Sequence, residues 1–282
     1  MTIQQHVGFR LGHGERDHSG CTVALFDRAT VASGEIRGGS PATREFDLLE
    51  PQRANQGIDA VVLSGGSVFG LASVDGVVRH LAEQGRGVRF GNQTIPIVPA
   101  MGIFDLNQSR PTPPTAETGI AACESATADI GPFGPVGAGL GATVGQWRGI
   151  SRPSGIGWSY TRFRDVIVEA VVVVNAFGEP GQHSAIQAKD RFHWPEESFL
   201  PAEGGNTTIG VVSTNAMLNK LECHLIAQGA HDGLARAITP PHTRADGDGF
   251  IAAATGTAKT RLDPDVVRTM AMTSVETAIQ EA

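Results

Sequence analysis

Gly204-Gly205-Asn206-Thr207-Thr208-Ile209-Gly210-Val211-Val212 is the stretch on which the reading of this 282-residue chain turns. Two glycines and an asparagine lead into a hydroxyl residue, which opens an apolar, β-branched run with the character of a buried strand. Thr207 then stands at the first strand position. Inside a peptide its nitrogen is no base and its hydroxyl is a weak nucleophile. If the Asn206–Thr207 bond is cut, Thr207 gains an α-amine of ordinary pKa about 7.7–8.0 beside its own hydroxyl. Nucleophile and base then belong to one residue. A glycine turn feeding a core strand accounts for the same stretch without chemistry, and the residues alone leave both open.

Composition narrows the setting. Apolar residues make up 40% of the chain, enough for a sizeable core, and 36 glycines with 16 prolines imply many tight turns. A net charge of −7 with no Lys/Arg run argues against a nucleic-acid surface. The N-terminus Met1-Thr-Ile-Gln-Gln lacks the basic and apolar parts of a signal peptide. No segment approaches the roughly 18 apolar residues of a membrane span. Cys21, Cys123 and Cys223 are odd in number and far apart, which disfavours a disulfide framework. The expectation is a cytoplasmic protein of one domain.

Outward from Thr207, the strongest strand signal is Val166-Ile-Val-Glu-Ala-Val-Val-Val-Val174, ending at Asn175. An asparagine there is either a turn former or an amide donor for a developing oxyanion. Cys21–Phe26, Ile58–Leu63 and Phe250–Ala253 also read as strands, and 95–105 as strand broken by prolines. Helices are expected from Val68 to Leu81, stopping at Gly85, over 116–130, over 218–238, and from Asp263-Pro264 onward. Gly229 and Gly233 should interrupt the third of these. His6, His13 and His18 carry no metal-binding spacing and read as surface residues. The polar stretch 179–205 is long for a compact domain, which marks it as functional or mobile.

Two glycine clusters invite comparison with nucleotide sites. Gly65, Gly66 and Ser67 lie between a strand and a helix, where an anion could meet the helix N-terminus. They form neither a Walker loop nor a nucleophile elbow, so close packing or a substrate-pocket wall remains. Residues 137–142 loosely fit Gly-x-Gly-x-x-Gly/Ala, but Gly131-Pro-Phe-Gly-Pro135 before them is no strand. Asp246 and Asp248, at i and i+2, share one face of an extended chain. They could steady a Thr207 ammonium and orient its hydroxyl, or simply form a solvated turn. EF-hand spacing is absent.

The chain resembles the L-aminopeptidase/D-esterases, β-peptidyl aminopeptidases and 6-aminohexanoate (nylon-oligomer) hydrolases. Matching pieces run nearly end to end in one order: Gly20-Cys-Thr-Val, Arg37-Gly-Gly-Ser-Pro, Leu63-Ser-Gly-Gly-Ser-Val-Phe-Gly-Leu71, Val98-Pro-Ala, and Gly137 to Gly145. Val174-Asn-Ala-Phe-Gly, Gly205-Asn-Thr-Thr-Ile-Gly, His231-Asp-Gly-Leu-Ala-Arg-Ala-Ile and His242-Thr-x-x-Asp-Gly-Asp complete the set.

The resemblance implies an αββα sandwich similar to ornithine acetyltransferase. It also implies self-cleavage at Asn206–Thr207 into residues 1–206 and 207–282. Thr207 becomes the nucleophile, Asn175 the oxyanion-hole residue, and Asp246 with Asp248 the acidic pair. No metal or organic cofactor is implied, the substrate is a small peptide or amide, and αβ units assemble into tetramers or larger. Two positions depart from the pattern: Gln146 stands where many members carry Lys, and Phe104 where some carry Tyr. An acyltransferase, an uncut binding protein and a dinucleotide oxidoreductase are the competing readings.

Overall fold

Val166–Asn175 is buried at every position, its apolar residues interrupted only by Glu169 before the strand ends at Asn175. In the computed structural model, which describes residues 7–106, 111–181, 187–188, 191–192 and 205–282, this strand lies second from the edge of the main sheet. Most of the polar stretch 179–205 lies outside the described residues, as does His6.

The sheet has nine strands among the described residues: β1 (Phe9–Arg16), β2 (Ser19–Ile36), β3 (Ala42–Arg44), β4 (Gly57–Ser64), β5 (Ala100–Gly102), β6 (Ile156–Phe163), β7 (Val166–Asn175), β8 (Thr207–Thr214) and β9 (Gly249–Ala254). Their order is β6-β7-β8-β9-β2-β4-β5-β3, with β1 also paired to β2. The β8–β9 and β4–β5 pairs are parallel and the others antiparallel.

Strand β2 belongs to both halves. Cys21–Leu25 pair with β4, the register then shifts, and Val31–Ile36 pair with β9. Such an irregularity bends a strand, and here the two halves of the sheet face each other. Ile167, Val171, Val173, Ile209 and Val211 from one half share a core with Phe9, Phe26, Val61 and Leu63 from the other. Val168, Ala170, Val172 and Val174 point the opposite way, onto α4 (Lys220–Ala237) and α5 (Pro264–Gln280). On the far side, α2 (Ser73–Glu83) and α3 (Ala116–Ser125) cover β2 and β4 through Val74, Val77, Leu81, Ala122 and Cys123. Helix, sheet, sheet, helix is the αββα arrangement. Each fully buried valine contributes about 1.5–3 kcal/mol of burial.

Local sequence explains the helix ends. Asn219 and Glu222 form a reciprocal capping box at α4, and Asp263 caps α5 with Pro264 at its first position. The helices depart from expectation at several positions. The helix after β4 is split into α1 (Ser67–Gly70) and α2, leaving Val68 exposed. Leu221 and Val266 are also exposed, while Leu234, Val267, Met270 and Ile279 face the core. α3 ends at Ser125, short of Ile130. Gly229 and Gly233 do not interrupt α4. A Cβ at these two positions would lie 2.5 Å from Arg268 Cγ and 2.4 Å from Met272 O, so the glycines admit α5 at close range.

No helix among the described residues is long and apolar enough to cross a membrane. The three cysteines are buried free thiols. His18 is exposed, whereas His13 is half-buried with Nδ1 3.0 Å from Thr22 Oγ1.

Candidate active site

The starts of β8 and β9 lie next to one another, and the turn 243–248 that enters β9 covers the residues that enter β8. Asn206 N–H donates to Ala245 O at 3.2 Å. Gly247 N–H points back at the Asn206–Thr207 junction, 2.9 Å from Asn206 O and 3.2 Å from Thr207 Oγ1. The Thr207 hydroxyl itself donates to Asn206 O. Asn206 and Thr207 are both buried. One backbone N–H therefore serves the hydroxyl and the preceding carbonyl together.

Gly247 could not be another residue here. A Cβ would fall 2.7 Å from Ser40 O, 2.8 Å from Thr207 Oγ1 and 2.9 Å from Pro41 Cα. The Arg37-Gly-Gly-Ser-Pro41 loop fills that side: Arg37 and Gly38 N–H donate to Asp248 O, and Ser40 N–H to Asp246 O. The loop motif and the Asp246-Gly-Asp248 motif are thus one packed unit.

Asp246 and Asp248 are buried and flank Gly247, but neither carboxylate is solvated as a plain turn would have it. Asp246 accepts from Phe177 N–H (3.0 Å) with one oxygen and from Thr243 N–H (3.0 Å) and its hydroxyl with the other. Asp248 accepts from Thr208 N–H (2.8 Å) with Oδ1, and from His242 N–H (3.2 Å) and Nδ1 (2.8 Å) with Oδ2. Burial, and then the charge of Asp248, hold Asp246 well above the ordinary carboxylate range. The pair grips both sides of the Gly247 peptide and the residue after Thr207.

Asn175 closes the site from β7, opposite Thr207 in the antiparallel register. Its Oδ1 accepts Thr143 N–H at 3.0 Å and its Nδ2 donates to Phe104 O at 3.0 Å. Gln146 joins through Thr143, donating from Nε2 to Thr143 Oγ1 at 3.1 Å. Phe104 packs on Gly205, where a Cβ would stand 2.9 Å from the ring. The two positions that depart from the resemblance therefore sit around Asn175 and the Asn206–Thr207 junction.

Gly65, Gly66 and Ser67 are drawn to the same end of the sheet by the residues after β5. Gly66 N–H donates to Asp105 Oδ1 at 2.6 Å and Ser67 N–H to Ile103 O at 2.8 Å. Ser19 Oγ donates to Asp105 Oδ2 at 2.7 Å. The place where an anion could meet this turn is taken by the chain's own Asp105, whose carboxyl pKa is raised by burial. No hydrogen bond among the described residues joins these three residues to Thr207. Gly137–Gly139 form a 3₁₀ turn rather than opening a helix. Among the described residues no group of three or more His, Cys, Asp or Glu could hold a metal ion.

Sequence reasoning missed Gly247 as a donor, together with Thr143 and Thr243 as partners of Asn175 and Asp246. Gly247 was visible only as a glycine between two acids.

The model of peptidase family S58 matches residues 4–282. The chain belongs to this family. It is 41% identical, over 94% of this chain and 81% of the relative, to an uncharacterized aminopeptidase of Mycobacterium leprae. To a 6-aminohexanoate-oligomer endohydrolase of an Agromyces species it is 29% identical, over 88% of this chain and 73% of the relative. The structure of an L-aminopeptidase D-Ala-esterase/amidase from Ochrobactrum anthropi, described as a variant among the Ntn hydrolase fold, superposes with a TM-score of 0.71. That match covers 98% of this chain and 83% of the other at 18% identity, a likeness of fold. The S58 match spans both halves of the sheet and every element of the Thr207 site.

Proposed function

We propose that this S58 member cuts itself between Asn206 and Thr207 and then acts as an amide hydrolase with Thr207 as nucleophile. The observation that carries the proposal is the Thr207 hydroxyl held against the Asn206 carbonyl under the Gly247 N–H. Attack of Oγ1 on the Asn206 carbonyl carbon forms an ester as the C–N bond breaks, and the departing nitrogen takes the proton. Gly247 N–H already lies on the oxygen that becomes the oxyanion. Water then hydrolyses the ester, leaving a carboxylate on Asn206 and restoring the Thr207 hydroxyl. The products are residues 1–206 and 207–282.

In the cut protein the Thr207 α-amine takes the hydroxyl proton as the hydroxyl attacks a substrate amide, and delivers it to the leaving amine. Asn175 serves the substrate oxyanion: its amide nitrogen carries two N–H donors, and Phe104 O accepts one. Asp246 and Asp248 orient the junction. The names of the relatives point to small peptides, or linear ω-amino acid oligomers, as the substrate class. We place αβ units in a tetramer or larger assembly.

Intact mass and N-terminal sequencing test the proposal. The wild type should give two chains, one beginning at Thr207, and release amine from small amide substrates. Thr207→Ala should stay one chain and be inert. A wild type that remains uncut after long incubation overturns self-processing. A cut enzyme that transfers its acyl group to added amines faster than to water would be an acyltransferase.

A further inference from the structure

We propose that His242 is a positioning residue for the Thr207 junction, holding one oxygen of Asp248 while the other oxygen holds the peptide N–H immediately after Thr207. The inference rests on Thr207 being the nucleophile and concerns what keeps that residue in place.

Asp248 is buried, and its two oxygens have different duties. Oδ1 receives Thr208 N–H at 2.8 Å. Oδ2 receives two donors from one residue, the backbone N–H of His242 at 3.2 Å and its ring Nδ1 at 2.8 Å. An ionised carboxylate oxygen can only accept, so the tautomer with its proton on Nδ1 is the one that completes this contact. The path His242 ring, Asp248 carboxylate, Thr208 N–H ends one residue from the Thr207 hydroxyl.

The backbone of His242 supports a selected geometry. Its φ of 51° lies in the left-handed region, sparsely used by residues other than glycine. Strained conformations persist where the surroundings over-determine them. Here the surroundings are the Asp248 carboxylate on one side and His231 on the other. The His231 ring meets the His242 ring edge-on, with centroids 4.9 Å apart, and the His231 carbonyl oxygen is 3.4 Å from Nε2. Burial pushes His231 down to about 3, so it stands as a neutral wall rather than a competing cation. Without the ring, a buried carboxylate loses its shorter Oδ2 donor and is free to turn away from Thr208.

Two substitutions separate the donor from the backbone. Glycine accepts the left-handed conformation and offers no side-chain donor. Asparagine tolerates that conformation better than most residues and places an amide N–H near the position of Nδ1. In the uncut Thr207→Ala chain, amide exchange at Thr208 is read by NMR with His242, His242→Gly and His242→Asn. We expect His242→Gly to speed Thr208 exchange roughly ten- to a hundredfold, as losing a bond to a charged acceptor implies. His242→Asn should restore most of the protection, with melting temperatures of the three close together. With Thr207 intact, His242→Gly should slow cutting by a similar factor and His242→Asn should recover it. Unchanged Thr208 exchange in His242→Gly, or equal loss in both variants, overturns the role of His242. A wild type that never cuts, with the exchange pattern as expected, instead overturns the nucleophile reading.

Discussion

The β7–β8 strand pair carries two buried polar pairs on one face, and they have opposite fates. Asn175 faces Thr207 at one end, and Glu169 faces Ser213 three face positions away. At about 3.3 Å per residue the two pairs are roughly 20 Å apart. Both are buried. Asn175 uses its oxygen and its amide nitrogen, and Thr207 is held by Gly247. Glu169 Oε2 and Ser213 Oγ have no hydrogen-bond partner among the described residues. Burying an unpaired polar group costs stability, whereas burying a hydrogen-bonded one fixes geometry. The contrast separates a site from a liability in the same two strands.

The comparison breaks most sharply at Gly247. Gly247→Ala should slow cutting by more than about a hundredfold, because its Cβ must displace Thr207 Oγ1 or the Ser40–Pro41 backbone. A time course on denaturing gels reads this, and cutting at the wild-type rate would remove Gly247 from the mechanism. Next is Asn175→Ala, expected to reduce substrate turnover by about 10²–10³ in protein that has been cut. Cutting itself should suffer less, since Gly247 already serves Asn206 O. Equal loss in both steps would assign Asn175 to both oxyanions.

Glu169→Gln tests the other pair. Burial pushes the Glu169 carboxyl up to about 8, against an ordinary 4.5. Between these values the folded chain keeps a proton that the unfolded chain releases. Glu169 therefore makes stability fall as pH rises through this window, with the full loss, on the order of a few kcal/mol, reached above pH 8. Urea midpoints at pH 5 and 8.5 should converge in Glu169→Gln, with cutting unchanged. A wild-type-like pH slope in the variant would show that other groups set it.

The smallest effect is expected for Gln146→Lys. The substitution keeps a donor for Thr143 Oγ1 and adds a charge two hydrogen bonds from Asn175. Cutting and turnover should change by less than about tenfold, the scale of a partly solvated charge. A hundredfold gain would mean that the missing cation limits this chain.

Much of the fold was legible because it is written in local pattern. The run 166–174, apolar except for Glu169, suits a strand covered on both faces, and Asp263-Pro264 is a local helix-start signal that the structure uses. Thr207, Asn175, Asp246 and Asp248 were singled out through their motifs, and the structure brings them together. Their geometry was not legible. Periodicity could not say that α4 runs through Gly229 and Gly233, since that depends on how near α5 comes.

The amino-acid sequence by itself marked the strands at 21–26, 58–63, 166–174 and 250–253, the strand that Thr207 opens, the approximate helices, and the family the motifs resemble, because these depend on residues a few positions apart. It did not mark β1, β3 or β6. Only the tertiary structure decided that the Gly247 N–H bridges the Asn206 carbonyl and the Thr207 hydroxyl. It alone shows that Asp105 occupies the turn at Gly66, and that Glu169 is buried without the partners Asn175 finds. Hydrogen bonds between residues 39 or more apart depend on distances of a few tenths of an ångström. Such distances are set by how the β2 bend and the 37–41 loop bring the strand ends together, which no local pattern encodes.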